Sequence, residues 1–470
     1  MADSAINFAN VQGTILRGYR VDLARHFVLS IGDPAGARAL ITALVDGSGG
    51  LPAVTTAMRV EPKPPCFLNL SFSYTGLAAL GLGADQMEDF DRTFKNGAAD
   101  ADTARRIGDT GSSAPQYWLG GLGDSAQVHM LLSIWVTDSH EVLESVSAQL
   151  RAAWTGSLRE LYVQDATALP DNKVHFGYRD SIAQPKVKGA PDAKRMVPDD
   201  QPEVATGEFL LGYVNQGGGT YRVSPDELTK DSSYAAFRIL EQDVAAFDAM
   251  LETYAGQTGL SSEMVAAKFC GRWRNGNPLE LAPEVEGPVL PDEQLNNFNY
   301  VTTELATDDT LGLKCPIGSH IRRNNPRDGK VNGTDADHHR IVRRAMPYGP
   351  AYDPAKPDQP PRGLVGYFIN ASLSNQFEFI TSQWNNQSEF VQADTGPGGA
   401  KYGNAAFNIS GQDVFSGVND PATSSFTFAG KAPGAGNTEV GGFGRTIVTR
   451  GSVYCFFPSI SGLRYLAAMG

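Results

Sequence analysis

Apolar runs in this chain come in an order that few architectures accept. "RHFVLSI" (25–31) has strand character, and "AGARALITALV" (35–45) follows with helical spacing. "CFLNLSFSY" (66–74) and "VHMLLSIWVT" (128–137) read as further strands. The second of these leads into "HEVLESVSAQLRAAW" (140–154), where Val142, Leu143, Val146, Leu150 and Trp154 share one helix face. "KVHFGY" (173–178) is expected to close the set. A βαβ unit, an insertion and a second βαβ unit is the split order of a ferredoxin-like domain.

The order then recurs. "SYAAFRIL" (233–240) runs into the helical "EQDVAAFDAMLETYA" (241–255), "GLVGYFINA" (363–371) into a helix expected over "SLSNQFEFITSQW" (372–384), and "GSVYCFFPSI" (451–460) is a late strand. The expected class is α+β: two ferredoxin-like halves with antiparallel sheets, residues 1–200 and 201–470. A length of 470 residues, too great for one ordinary core, agrees. Long inserts rich in Gly, Pro and Asn (186–204, 324–336 and most of 385–450) read either as walls of a site or as surface excursions.

Charge and composition exclude several functions. A formal net charge of −13 disfavours nucleic acid and anionic membrane as partners, since both rely on clustered Lys and Arg. No stretch approaches the roughly 20 apolar residues of a membrane span, and the first residues show no secretory pattern. Cys66, Cys270, Cys315 and Cys455 lie far apart, as free thiols of a reduced cytosol would. A cytoplasmic protein is therefore expected. Phosphate loops, nucleophile elbows and HExxH zinc helices are absent. "DADHHR" (335–340) offers adjacent histidines, which seldom share a metal without a fixed turn. "GGLGDSAQ" (120–127) reads as a loop.

Three segments remain. In "HFGYRDSIAQPKVKG" (175–189), Asp180 is expected at a strand end, as a helix cap or a working carboxylate. "CPIGSHIRRNNPR" (315–327) sets His320 before Arg322, Arg323 and Arg327. A cofactor needing one nitrogen ligand and carrying its own acidic groups would explain this, and so would a loop over the core. "HHRIVRRAMPYGP" (338–350) places Arg343 and Arg344 in an apolar stretch.

In order and spacing these segments resemble the signature of the dye-decolorizing peroxidases, a haem family. "GYRDS" (177–181) resembles the family's GxxDG motif, "CPIGSHIRR" its CP-x-x-x-H-I-R run, and "VRRAMPYG" (342–349) its arginine before a [MI]P[YF]G turn. "FANVQGTILRGY" (8–19), "NLSFSYTGLAALGL" (69–82), "GEFLLGYVNQ" (207–216), "AAFRILEQDVAAF" (235–247) and "MVAAKFCGRWRNGNPL" (264–279) are similar to other family segments, so the likeness covers nearly the whole chain. The long inserts match the larger branches of the family.

The resemblance implies haem b, iron protoporphyrin IX, with His320 as axial ligand of the iron. It implies Asp413 in "SGQDVFSG" (410–417) as the acid behind that histidine, with Asp394 and Glu389 as fallbacks. Asn325, Pro326 and Arg327 would touch the porphyrin, and the arginines of the run would pair with its propionates. On the open face, in the N-terminal half, Asp180 would move the proton of hydrogen peroxide. Arg343, from the C-terminal half with His320, would stabilise the departing oxygen. Ser181, Ile182 and Ala183 would lie against the haem, with Leu364 nearby. Ser181 departs from the motif's glycine. Gly366 stands where relatives often carry an aromatic residue, leaving Tyr367 or Phe368 to fill the space. Trp384 matches a surface position that relays electrons from bulky donors, and is otherwise a half-buried helix residue. The implied activity is peroxidation of dye-like, phenolic or other organic donors, in a protein compatible with a homodimer. The alternatives are a haem or porphyrin carrier, or a related haem enzyme that removes iron.

Overall fold

The computed structural model describes residues 5–190, 201–304, 307–327, 330–331, 334–356, 359–388, 411–430 and 436–469. Eight strands make one antiparallel sheet: β1 (Leu23–Ile31), β2 (Cys66–Phe72), β3 (Met130–Val136), β4 (Leu158–Thr167), β5 (Ser233–Gln242), β6 (Val342–Tyr348), β7 (Gly363–Asn370) and β8 (Ile447–Phe457). Their spatial order is β6-β7-β5-β8-β2-β3-β1-β4. Numbered within its own half, each set of four lies 2-3-1-4, so the ferredoxin-like arrangement occurs twice in one sheet.

The halves meet at a single register pair, Phe72 opposite Phe456, whereas β5 and β8 pair along ten residues. The two outer strands, β4 and β6, approach each other, so the sheet curls toward a barrel. The interior crosses between halves: Tyr367 of β7 lies 2.6 Å from Ser133 Oγ of β3, which lies 2.7 Å from His26 Nδ1 of β1. Burial pushes the His26 imidazole down to about 4, so it is neutral inside the barrel at physiological pH.

Local sequence explains the covering helices. α1 (Pro34–Asp46) starts at Asp33, whose carboxylate accepts from the amides of Ala35 and Gly36, and ends at Gly47 in the left-handed region that a side chain would strain. Its Ala37, Leu40, Ile41 and Leu44 are buried at helical spacing. α2 (His140–Trp154) is capped by Ser139 and buries Leu143, Leu150 and Trp154, the last edge-on to Phe27 of β1 at 5.2 Å. Each such apolar side chain contributes about 1.5–3 kcal/mol on burial. In the second half, α3 (Val244–Thr258) and α4 (Ser262–Cys270) support a smaller aromatic cluster containing Phe176, Tyr178, Phe247, Phe269 and Phe415.

Two sequence expectations are corrected. The strand closing the first half is Leu158–Thr167, not 173–178. Residues 173–178 form a tight reversal instead: the Gly177 amide donates to the Val174 carbonyl, the Val174 amide to the Tyr178 carbonyl, and Gly177 has φ +84°. Charged residues, three of the ten in β4, mask a strand with one side toward solvent. Residues 372–384 are not a regular α-helix; a single turn, Phe377–Phe379, runs into a π-helix, Ile380–Asn385.

Candidate active site

His320 opens α5 (His320–Asn324), a helix of one turn, too short to hold itself in water. Side chains hold it instead. Arg322 reaches back to Asp309, with Nη1 3.0 Å from Oδ2 and Nη2 2.8 Å from the carbonyl, and to the Cys315 carbonyl at 2.7 Å. Arg323, fully buried, donates to the carbonyls of Gly318, Trp384 and Gly411. Asn324 donates to the His320 carbonyl at 2.8 Å.

The imidazole is equally fixed. Its Nδ1 lies 3.0 Å from Asp413 Oδ2 and 3.2 Å from Oδ1. Asp413 is fully buried, and its Oδ1 also accepts from the Phe415 amide (2.9 Å), the Ser416 amide (2.7 Å) and Ser416 Oγ (2.9 Å). Burial alone would raise this carboxyl, but His320, the Ser416 amide and Arg323 outweigh it and hold it at about 2. An ionised Asp413 makes Nδ1–H the donor. Among the described residues Nε2 has no hydrogen-bond partner, and the side chain is 30% exposed, so the second nitrogen is open to a ligand.

The opposite flank is a loop. After the 174–178 reversal, the Arg179 amide donates to the Arg274 carbonyl and the Asp180 amide to the Asn172 carbonyl. Asp180 is therefore neither at a strand end nor a helix cap, correcting both expectations. Ser181 has φ +62°, which explains why glycine would suit that position. Ile182 packs over Gly276, where an added Cβ would come within 2.7 Å of its Cδ1. Arg343 then clasps the loop: Nη2 donates to the Ala183 carbonyl at 2.8 Å, and its amide donates to Gln184 Oε1 at 3.1 Å.

The flanks converge. Tyr178, two residues before Asp180, is edge-on to Phe415 at 5.8 Å, and Phe415 is edge-on to the His320 ring at 5.3 Å. Asp180 and Asp413 both act on Cys270, whose buried thiol is pushed up to about 12, chiefly by desolvation. Guanidiniums gather at the same place. Arg340 is lowered to about 10, chiefly by burial; Asp337, 3.5 Å away, pulls it up, and Arg327 and Arg343 push it further down. Burial and Arg327 likewise lower Arg272 to about 10. A cluster of buried arginines and an imidazole nitrogen open to a ligand suit a planar metal cofactor with its own carboxylates.

The comparisons agree with this geometry. Residues 10–170 match the family model described as the DyP dimeric alpha+beta barrel domain. "Peroxidase 2" of Mycetinis scorodonius is 29% identical over 98% of this chain and 88% of that protein. A "Dye-decolorizing peroxidase" of Mycena epipterygia is 29% identical over 99% and 88%. A crystal structure of a fungal DyP-type peroxidase from Auricularia auricula-judae superposes with a TM-score of 0.80 at 26% identity, over 99% of this chain and all of that one. The chain is similar to dye-decolorizing peroxidases over nearly its whole length. Haem is the cofactor of that family, and the site described here has the donor set to hold it.

Within the family frame, several expectations about individual residues change. Arg322 and Arg323 are held by Asp309 and by backbone carbonyls rather than left for propionates, whereas Arg327, though it binds the Asn296 and Phe298 carbonyls and stacks 3.7 Å from the Phe298 ring, keeps its expected place. Arg340 and Arg272 were not singled out by sequence. Neither was Gln184; only their place beside recognised motifs marked them. Asn325 caps α5 and accepts from the Arg327 amide, next to Pro326. Leu364, Gly366 and Phe368 face the same side of the sheet as Arg343, whose cross-strand partner is Phe368. Tyr367 points to the other side, into the barrel, and fills no space beside Gly366. A Cβ at Gly366 would strike the Arg344 carbonyl oxygen, so this strand spacing demands glycine. Trp384 is 2% exposed, edge-on to His339 and Phe379, not the surface residue expected. It packs inward because the π-helix turns it onto Val301, Ile317 and Ala336. Asp394 and Glu389 lie outside the described residues.

Proposed function

We propose that this chain is a haem b peroxidase that reduces hydrogen peroxide and oxidises dye-like, phenolic or other organic electron donors. One observation supports the reading: an imidazole with Nδ1 tied to a buried carboxylate and Nε2 open, near a loop that carries Asp180 and is clasped by Arg343 at the Ala183 carbonyl.

His320 would hold the iron through Nε2, with Asp413 strengthening it as a donor. Bound there, haem would supply the two-electron reduction of peroxide and the one-electron oxidations that follow. Asp180 takes the proton from the near oxygen of peroxide and returns it to the far one. Arg343, fixed to the Ala183 carbonyl, meets the negative charge growing on the departing oxygen. Arg340 and Arg327 would balance the propionates. A carrier would need neither Asp180 nor Arg343.

The test is the absorption spectrum of the haem-loaded protein before and after one equivalent of peroxide, followed by stopped flow. An oxidised spectrum should form in the parent. Asp180→Asn should slow it about 10²–10⁴-fold and Arg343→Leu about 10²–10³-fold, with haem content retained. Parent rates in both variants would refute the assignment.

A further inference from the structure

Tyr454 of β8 is 1% exposed, and its hydroxyl donates to Glu378 Oε1 at 2.8 Å. Glu378 is itself 3% exposed; its Oε2 accepts from Arg106 Nη2 at 2.6 Å and Nε at 3.1 Å, and from Thr93 Oγ1 at 3.2 Å. A buried carboxylate against a buried phenol is an expensive way to fill a core, since apolar residues of like volume are often no less stable. Burial, and then the Glu378 charge, raise the phenol well above its ordinary value, so it keeps its proton. Burial also raises the Glu378 carboxyl, against the pull of Arg106, so this carboxylate takes up a proton more readily than an exposed one.

Position gives the pair a use. Phe368 is the cross-strand partner of Arg343 and lies on the same side of the sheet. Its ring centroid is 5.4 Å from that of Phe377, which is 6.0 Å from Tyr454. On the far side, the Arg106 side chain is 43% exposed and adjoins Arg105, which with Ala104 and exposed Tyr117 lines an open surface cleft.

We propose that Tyr454 and Glu378 form a proton-coupled redox site that connects the active site with one-electron donors outside the protein. It rests on the peroxidase reading above. Tyr454 gives one electron to the oxidising equivalent left by peroxide, and its phenolic proton passes to the Glu378 carboxylate. A neutral phenoxyl radical and a neutral carboxylic acid result. An external donor returns one electron, Glu378 returns the proton, and the oxidised donor leaves. Trp384 needs no part in this route.

Freeze-quench EPR of the haem-loaded protein, with one equivalent of peroxide and no donor, tests it. The parent should show a tyrosyl signal that narrows with ring-deuterated tyrosine. Tyr454→Phe, which keeps the ring packing, should lower that signal at least tenfold while the absorbance change with peroxide persists. Glu378→Gln, which cannot accept the proton, should slow radical formation at least tenfold. An unchanged signal in Tyr454→Phe, with a normal absorbance change, overturns the redox site and leaves the peroxidase reading standing. Absence of any absorbance change in the parent overturns both.

Discussion

His320 stands on one helical turn whose every neighbour is tied down: Arg322 to Asp309, Arg323 to three carbonyls, the imidazole to Asp413, and Asp413 to two amides and a hydroxyl. Asp180 stands on a loop, half-exposed, with its backbone held at the Asn172 carbonyl and its successors by Arg343 and a left-handed Ser181. The contrast suits the work proposed for each flank. A metal ligand has to keep one direction through every cycle, and a buried polar network fully satisfied on all sides gives that rigidity. A proton-transferring carboxylate has to meet water, peroxide and product in turn, so it gains from standing at an opening rather than in the core.

The sharpest break in that comparison is His320→Ala. It should abolish stable haem binding, read as loss of the Soret band after gel filtration, whereas no single distal variant should do so. Asp413→Asn keeps the shape of the proximal network but removes its charge. It should cost about 10–100-fold in haem affinity or in the rate with peroxide, with a raised reduction potential. Gln184→Ala removes only the side chain that holds the Arg343 amide. A fall in the peroxide rate of less than about tenfold is expected, with haem affinity unchanged in a titration. The smallest effect belongs to Ser181→Gly: relief of a left-handed backbone should stabilise the fold by about 1 kcal/mol in denaturant melts. A larger loss of haem from Gln184→Ala than from Asp413→Asn would reverse the comparison.

The same contrast decides how much was legible in the sequence. Regular segments announced themselves, because β1, β3, α1 and α2 carry apolar periodicity over whole elements. β4 did not: "LRELYVQDAT" keeps charges on a side that remains in contact with solvent, and the more apolar "KVHFGY" offered a false strand. The three motif residues His320, Asp180 and Arg343 were found by resemblance, and the structure brings their segments together. What composition could not reveal was which arginines do which job. Arg322, Arg323 and Arg340 look alike in the sequence, and only folding shows Arg323 spent on backbone carbonyls, Arg322 on Asp309 and two carbonyls, and Arg340 on Asp337. Trp384 misled for a similar reason, since a π-helix rotates side chains away from the positions an α-helix would give them.

The central claim is that the free Nε2 of His320 binds haem iron while Asp413 holds Nδ1. Resonance Raman spectroscopy of the reduced, haem-loaded protein reads that bond as an iron–histidine stretch. The account predicts a stretch that shifts to lower frequency in Asp413→Asn and disappears in His320→Ala. The same stretch persisting in His320→Ala would mean that another residue holds the iron, and the site described here would not be the haem site.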